Sequence, residues 1–265
     1  MRTRLVWAVA CLAVLAAVAP LRAELRYTMR IHAQPSRVPA AAPANPLVAM
    51  ISSVVTGTLA PEGGLELTIT TGEKGTRVDY PRAYLVIPAG GATLLRADGS
   101  MVVLDTLEHT YWKMAKPDFS ALAGAAPTVT MTRTGGAEVV AGVRAERRDF
   151  EIRLPLPVPP GTALPPGIPS DIVMSGEAWV APQYKQYAKL AAGLLGGLDA
   201  FGANTLAAEG LMMRSVLRGE LLGTQELESV VTAIAEAPAP ASLFDIPAGY
   251  TEVAPPSGMP GRASR

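Results

Sequence analysis

Apolar and polar residues alternate with period two along much of this chain, the signature of strands with one buried face. LRYTMRIHA (25–33) puts Leu25, Tyr27, Met29 and Ile31 on one side; LELTITT (65–71) alternates likewise, and TRVDY (76–80) resumes the pattern after Gly-Glu-Lys-Gly. LLRADGSMVVLDTLEHTYWKM (94–114) predicts two hairpins in succession, turning at Asp98-Gly99 and again over Thr106 to His109. A two-residue turn there pairs Ala97 with Ser100, Leu95 with Val102 and Leu94 with Val103. Both faces of that ribbon are then apolar, with Tyr111 on one and Trp112 on the other, so something must cover the second face. Further strands follow at 128–134, over 137–156 with a turn at Gly142, at 171–180, and around 210–219 and 226–236.

Helical spacing is rarer. Asn45-Pro46 is a start signal for a helix carrying Leu47, Met50, Ile51, Val54 and Val55, with Gly57 able to end it. A short helix is expected near Pro117. In PQYKQYAKLAAGLLGGLDAF (182–201), Tyr184, Tyr187, Ala191, Leu194, Leu195 and Leu198 form one stripe, weakened at Gly196-Gly197. Two proline-rich loops, 35–46 and 155–169, suit neither a helix nor a central strand. The tail from Pro255 is expected to be disordered. The order of elements predicts a mainly β (α+β) fold: a curled antiparallel sheet or incomplete β-barrel of about ten strands, with two or three helices covering the concave face.

Composition narrows the setting. MRTR, an apolar run and LRA before Glu24 read as a signal peptide over 1–23, too short a run to favour a bilayer anchor. Lipid attachment at Cys11 is disfavoured because the apolar run continues past it. Removal of that segment leaves no cysteine, so residues 24–254 must be stable through their core, as a single domain without disulfides. It also leaves 20 basic side chains against 23 acidic ones, with no basic cluster suited to nucleic acid and no later transmembrane run. The expected location is the cell envelope or its exterior.

Candidate chemistry is sparse. His32 ends a strand and His109 lies in a turn, with no Gly-x-Ser-x-Gly elbow, no His-Glu-x-x-His and no cysteine ligand set. The Gly-rich stretches at 89–93 and 192–204 lack phosphate-loop spacing. Glu138, Asp149 and Glu151 are expected to be solvated rather than paired for glycosidase chemistry. Arg144, Arg147, Arg148 and Arg153, interleaved with Glu146, Asp149 and Glu151, read as cross-strand ion pairs on an exposed face. What remains is apolar: Met101, Met114, Met131, Met174, Met212 and Met213 accompany Trp112 and Trp179 in or beside strands. A cleft between sheet and helices is the usual setting for an apolar ligand. Its expected lining is Leu95, Val102, Leu104, Trp112, Trp179, Tyr187 and Leu194, with no catalytic residue, cofactor or metal.

Taken in order, RVDY…LLRADGSMVVLDTLEHTYWKM, VVAGVRAERRDFEI, GEAWVAP, GLMMRSV and SLFDIPAGYTEV resemble a family of secreted bacterial proteins of unknown function, the DUF4412 type. That family is similar in architecture to the outer-membrane lipoprotein carriers, the LolA-like proteins. The resemblance implies an apolar cavity for acyl chains and no enzyme. The chain departs from it in lacking a cysteine near Arg144 to Arg148 and in its two proline-rich segments. Two functions follow as expectations: a binder or carrier of a lipid or lipoprotein acyl chain, or a packed envelope module that binds a protein partner.

Overall fold

The computed structural model describes residues 23–37, 61–114, 128–155, 170–192, 203–219 and 222–256. Period-two patterning produces twelve strands in a single sheet: β1 (Glu24–Pro35), β2 (Leu65–Gly72), β3 (Gly75–Asp79), β4 (Ala92–Arg96), β5 (Met101–Asp105), β6 (Thr110–Met114), β7 (Thr128–Val140), β8 (Val143–Pro155), β9 (Asp171–Ala181), β10 (Leu211–Gly219), β11 (Gln225–Ala237) and β12 (Thr251–Glu252). Their order is β12-β6-β5-β4-β3-β2-β1-β11-β10-β9-β8-β7. The sheet is curled and unclosed, and nearly every pairing is antiparallel. Only β12 lies parallel to its neighbour, with Thr251 beside Thr110 and Glu252 beside Tyr111.

Two expectations about strands need correction. The first hairpin closes on Arg96 and Ser100, not Ala97 and Ser100, and Gly99 takes φ 79° in a three-residue loop. A left-handed third loop residue is the usual geometry of such a connection. Asp98 stabilises it by accepting the Ser100 amide at 2.8 Å. Leu94 therefore pairs with Val102, and Leu95 with Met101. A one-residue change of register moves side chains to the opposite face, so Leu94 and Leu95 exchange sides relative to expectation. Second, 128–140 is one strand rather than two, with a bulge between Arg133 and Ala137 around Gly135 and Gly136. The next turn, Ala141-Gly142, has positive φ at both positions, as a two-residue hairpin requires.

Two short α-helices are described, α1 (Lys185–Ala192), which continues a 3-10 turn at Pro182–Tyr184, and α2 (Ala203–Glu209). α1 is the start of the expected 182–201 helix. The expected helices at 45–57 and near Pro117, most of both proline-rich loops, the Gly196-Gly197 pair and Leu194 lie outside the described residues. Both described helices lie on one face of the sheet. Tyr187, Ala188 and Ala192 of α1 join Leu25, Tyr27, Ile69, Val78, Met213 and Val231 in the largest apolar cluster. Leu206 of α2 packs against Phe150, Ile152, Met174, Ala178 and Val180. The small alanines let the helix backbone approach the strands closely.

A candidate ligand-binding face

Register carries one row of side chains across seven strands of the helix-covered face: Ile234, Tyr27, Ile69, Val78, Thr93, Val103 and Trp112. A second row beside it runs Leu25, Thr71, Thr76, Leu95, Met101 and Met114. In its middle the Thr71 and Thr76 hydroxyls bond to one another, so two polar groups are satisfied without breaking the apolar surface. α1 is fixed over the central strands partly by the Tyr187 hydroxyl, which donates to the Ala23 carbonyl at 2.9 Å. Burial pushes that phenol's pKa up, keeping the donor protonated.

Arg148 also belongs to this face, sharing strand parity with Phe150 and Ile152. It is only 3% exposed. Its guanidinium donates to Glu146 at 2.7 Å and to Glu209, the last residue of α2, at 3.3 Å. The expectation of four exposed arginines is thus wrong at Arg148, because parity separates it from Arg147 and Arg153. That pair ties α2 to the sheet, and the alternation around Phe150 was the signal that could have revealed it.

Under β4 to β6 the face is lined by Ile87, Val103 and Trp112, with Tyr80, Val86 and Met114 packed against them. Trp112 is buried, while Leu95, Met101 and Met114 in the neighbouring row are only half-buried.

The opposite face has a different character. Val102 and Leu104 are buried there with Ala92 and Leu94, under Ile246 and Tyr250 of the closing segment. Trp179 lies between guanidiniums, with Arg214 4.7 Å and Arg147 6.0 Å from a ring centroid. Arg214 reaches Glu228 at 2.7 Å and Glu138 at 3.3 Å, so β7 bends over two intervening strands to meet β10. Arg218 bridges Glu226 and Glu177, and Gln34 donates to Glu226 at 2.9 Å. Burial pushes the Glu226 carboxyl up, but Arg218, the Arg37 amide and Gln34 outweigh it and hold the group below the usual carboxylate range. A pocket of about 460 Å³ opens on this face between Thr130, Asp149, Ser175, Glu177 and Arg218. It is polar, and its charges are largely spent on one another.

Of the seven residues expected to line one cavity, Leu95, Trp112 and Tyr187 share the helix-covered face. Val102 and Leu104 lie on the other; Trp179 has the register of that other face, beside Arg214, yet belongs to the same apolar cluster as Tyr187; and Leu194 is outside the described residues. His32 faces Glu228 at 3.4 Å, and His109 takes φ 51° in its turn, its ring against Tyr250. Among the described residues, no group of three or more His, Cys, Asp or Glu is arranged to hold a metal ion, and no helix is long and apolar enough to cross a membrane.

No family model matches the chain, the DUF4412 type included, and no curated protein matches it. Solved structures with a similar outline include PNGF-II at 11% identity and TM-score 0.36, a LolA superfamily protein from Nitrosomonas europaea at 6% and 0.31, and a DUF1329 family protein from Desulfovibrio piger at 9% and 0.33. The matches cover 87%, 85% and 88% of this chain, and 31%, 90% and 94% of the others respectively. The chain therefore spans about a third of the length of PNGF-II. At such overlap these are likenesses of outline, and none bears on what this chain does.

Proposed function

We propose that this protein is a non-enzymatic component of the cell envelope that binds or carries a lipid or lipoprotein acyl chain on the helix-covered face of its sheet. The observation that supports the reading is the seven-strand row ending at Trp112, flanked by half-buried Leu95, Met101 and Met114. Flexible methionines suit a surface that must adapt to a hydrocarbon chain. Each methylene buried there contributes about 0.8 kcal/mol, so a long chain would be retained through purification. The test is to express the protein with its leader, purify it without detergent, and combine native with lipid mass spectrometry. A stoichiometric adduct released by organic solvent is expected; a clean polypeptide mass counts against the reading.

One feature favours a second function, an interaction module. β7 is a thirteen-residue edge strand with no partner on its outer side among the described strands, and such an edge can accept a strand from another protein. Cross-linking in the intact envelope from a cysteine placed at Thr130 would capture that partner.

A further inference from the structure

Trp112 is 4% exposed, and its Nε1–H is buried with no hydrogen-bond acceptor among the described residues. A buried donor left unpaired carries its full desolvation penalty, and buried indoles ordinarily reach a partner. Among the described residues, the apolar cluster around it comprises Ile87, Val103, Val86, Met114 and Tyr80, and none of them accepts from Nε1. An N–H only donates, so whatever completes the site must bring an acceptor. Among the described residues, the side chains that share the face of Trp112 on β5 and β6 (Met101, Val103, Asp105, Thr110 and Met114) include no cation, so a full carboxylate would be buried there unpaired, which is costly. A neutral carbonyl fits both constraints. Resting on the ligand-face reading above, we infer that Trp112 Nε1–H is the polar anchor of the site. It donates to the carbonyl oxygen of an esterified or amide-linked acyl group, whose hydrocarbon chain lies along Leu95, Met101 and Met114. This gives the composition usual for a small-ligand site, an apolar lining with few placed polar groups, the Thr93 hydroxyl in the same row being the other buried one without a partner among the described residues.

Trp112→Phe keeps the aromatic bulk and removes the donor. Three fluorescent probes separate the possibilities: methyl cis-parinarate, its N-methyl amide counterpart, and N-phenylnaphthylamine, which has no carbonyl. Loss of one hydrogen bond should weaken the ester and the amide about fivefold to tenfold in the variant, with N-phenylnaphthylamine binding unchanged. A loss confined to the amide would assign an N-acylated lipoprotein rather than an esterified lipid, and would still support the anchor. Equal weakening of all three probes, or of none, overturns the anchor while the ligand face stands. If no probe binds the wild-type protein, the ligand face fails and the anchor with it. Should the variant not fold, the wild-type Trp112 indole N–H resonance decides: it should move downfield with the ester and not with N-phenylnaphthylamine, and an unmoved resonance overturns the proposal.

Discussion

A guanidinium on an apolar face needs carboxylates to accompany it, and Arg148 has two, Glu146 on its own strand and Glu209 from α2. Glu146 and Glu209 are partly solvated, so their release to water on losing Arg148 is tolerable, whereas an unpaired buried Arg148 would not be. Arg148→Met should therefore leave global stability within about 1 kcal/mol while faster amide exchange appears over Ala203–Glu209, read by hydrogen–deuterium exchange. Unchanged exchange in α2 would mean that packing of Leu206 and Ala207 alone fixes the helix. Glu226 makes a second residue-scale prediction. Its pKa is held below the unfolded value, so the folded state gains from its ionisation above about pH 4.3. That contribution is lost as pH falls through the folded pKa. Urea midpoints measured downward from neutrality should thus drop in acid, and Glu226→Gln should flatten that limb.

At the scale of elements, the long β8–β9 pairing depends on a glycine. A Cβ at Gly176 would collide with the Val216 carbonyl oxygen and lie 2.8 Å from Cζ of Phe150. Phe150 is the cross-strand partner of Gly176, so its ring fills the space that the missing side chain leaves. Gly176→Ala should cost about 2–4 kcal/mol, read by urea unfolding, because one blocking atom is strand backbone and cannot rotate away. Elements such as β1, β2 and β3 were legible in the sequence because their alternation is clean and turn residues bound them. The β4–β5 register was not, since Asp-Gly serves both two-residue and three-residue loops, and only the closing hydrogen bonds of Arg96 distinguish them. β12 was illegible for a different reason: a two-residue parallel pairing has no periodicity to detect. The candidate site was half legible. Trp112, Tyr187 and Leu95 could be chosen as apolar residues near helices, but which face Val102 and Trp179 occupy depends on register and bulges that composition does not encode.

For the whole molecule, a strand edge is a place where copies of a protein can join, and this sheet has two such ends of unequal character. At one, β12 lies on β6, and Glu252 accepts hydrogen bonds from both Tyr111 and Lys113 at 2.9 Å. At the other, β7 is long and carries the Gly135-Gly136 bulge. Growth of a filament needs two different complementary ends on every subunit, whereas joining like to like closes after one step. β12 covers Thr110 and Tyr111 of β6, so this end offers an incoming strand less open edge than β7 does, and joining through β7 alone would stop at a symmetric pair. Removing residues from Tyr250 onward would uncover the second end, and sedimentation velocity should then show species beyond a dimer at concentrations where the intact protein shows none. That outcome would make the short closing strand a stopper against polymerisation through this end of the sheet.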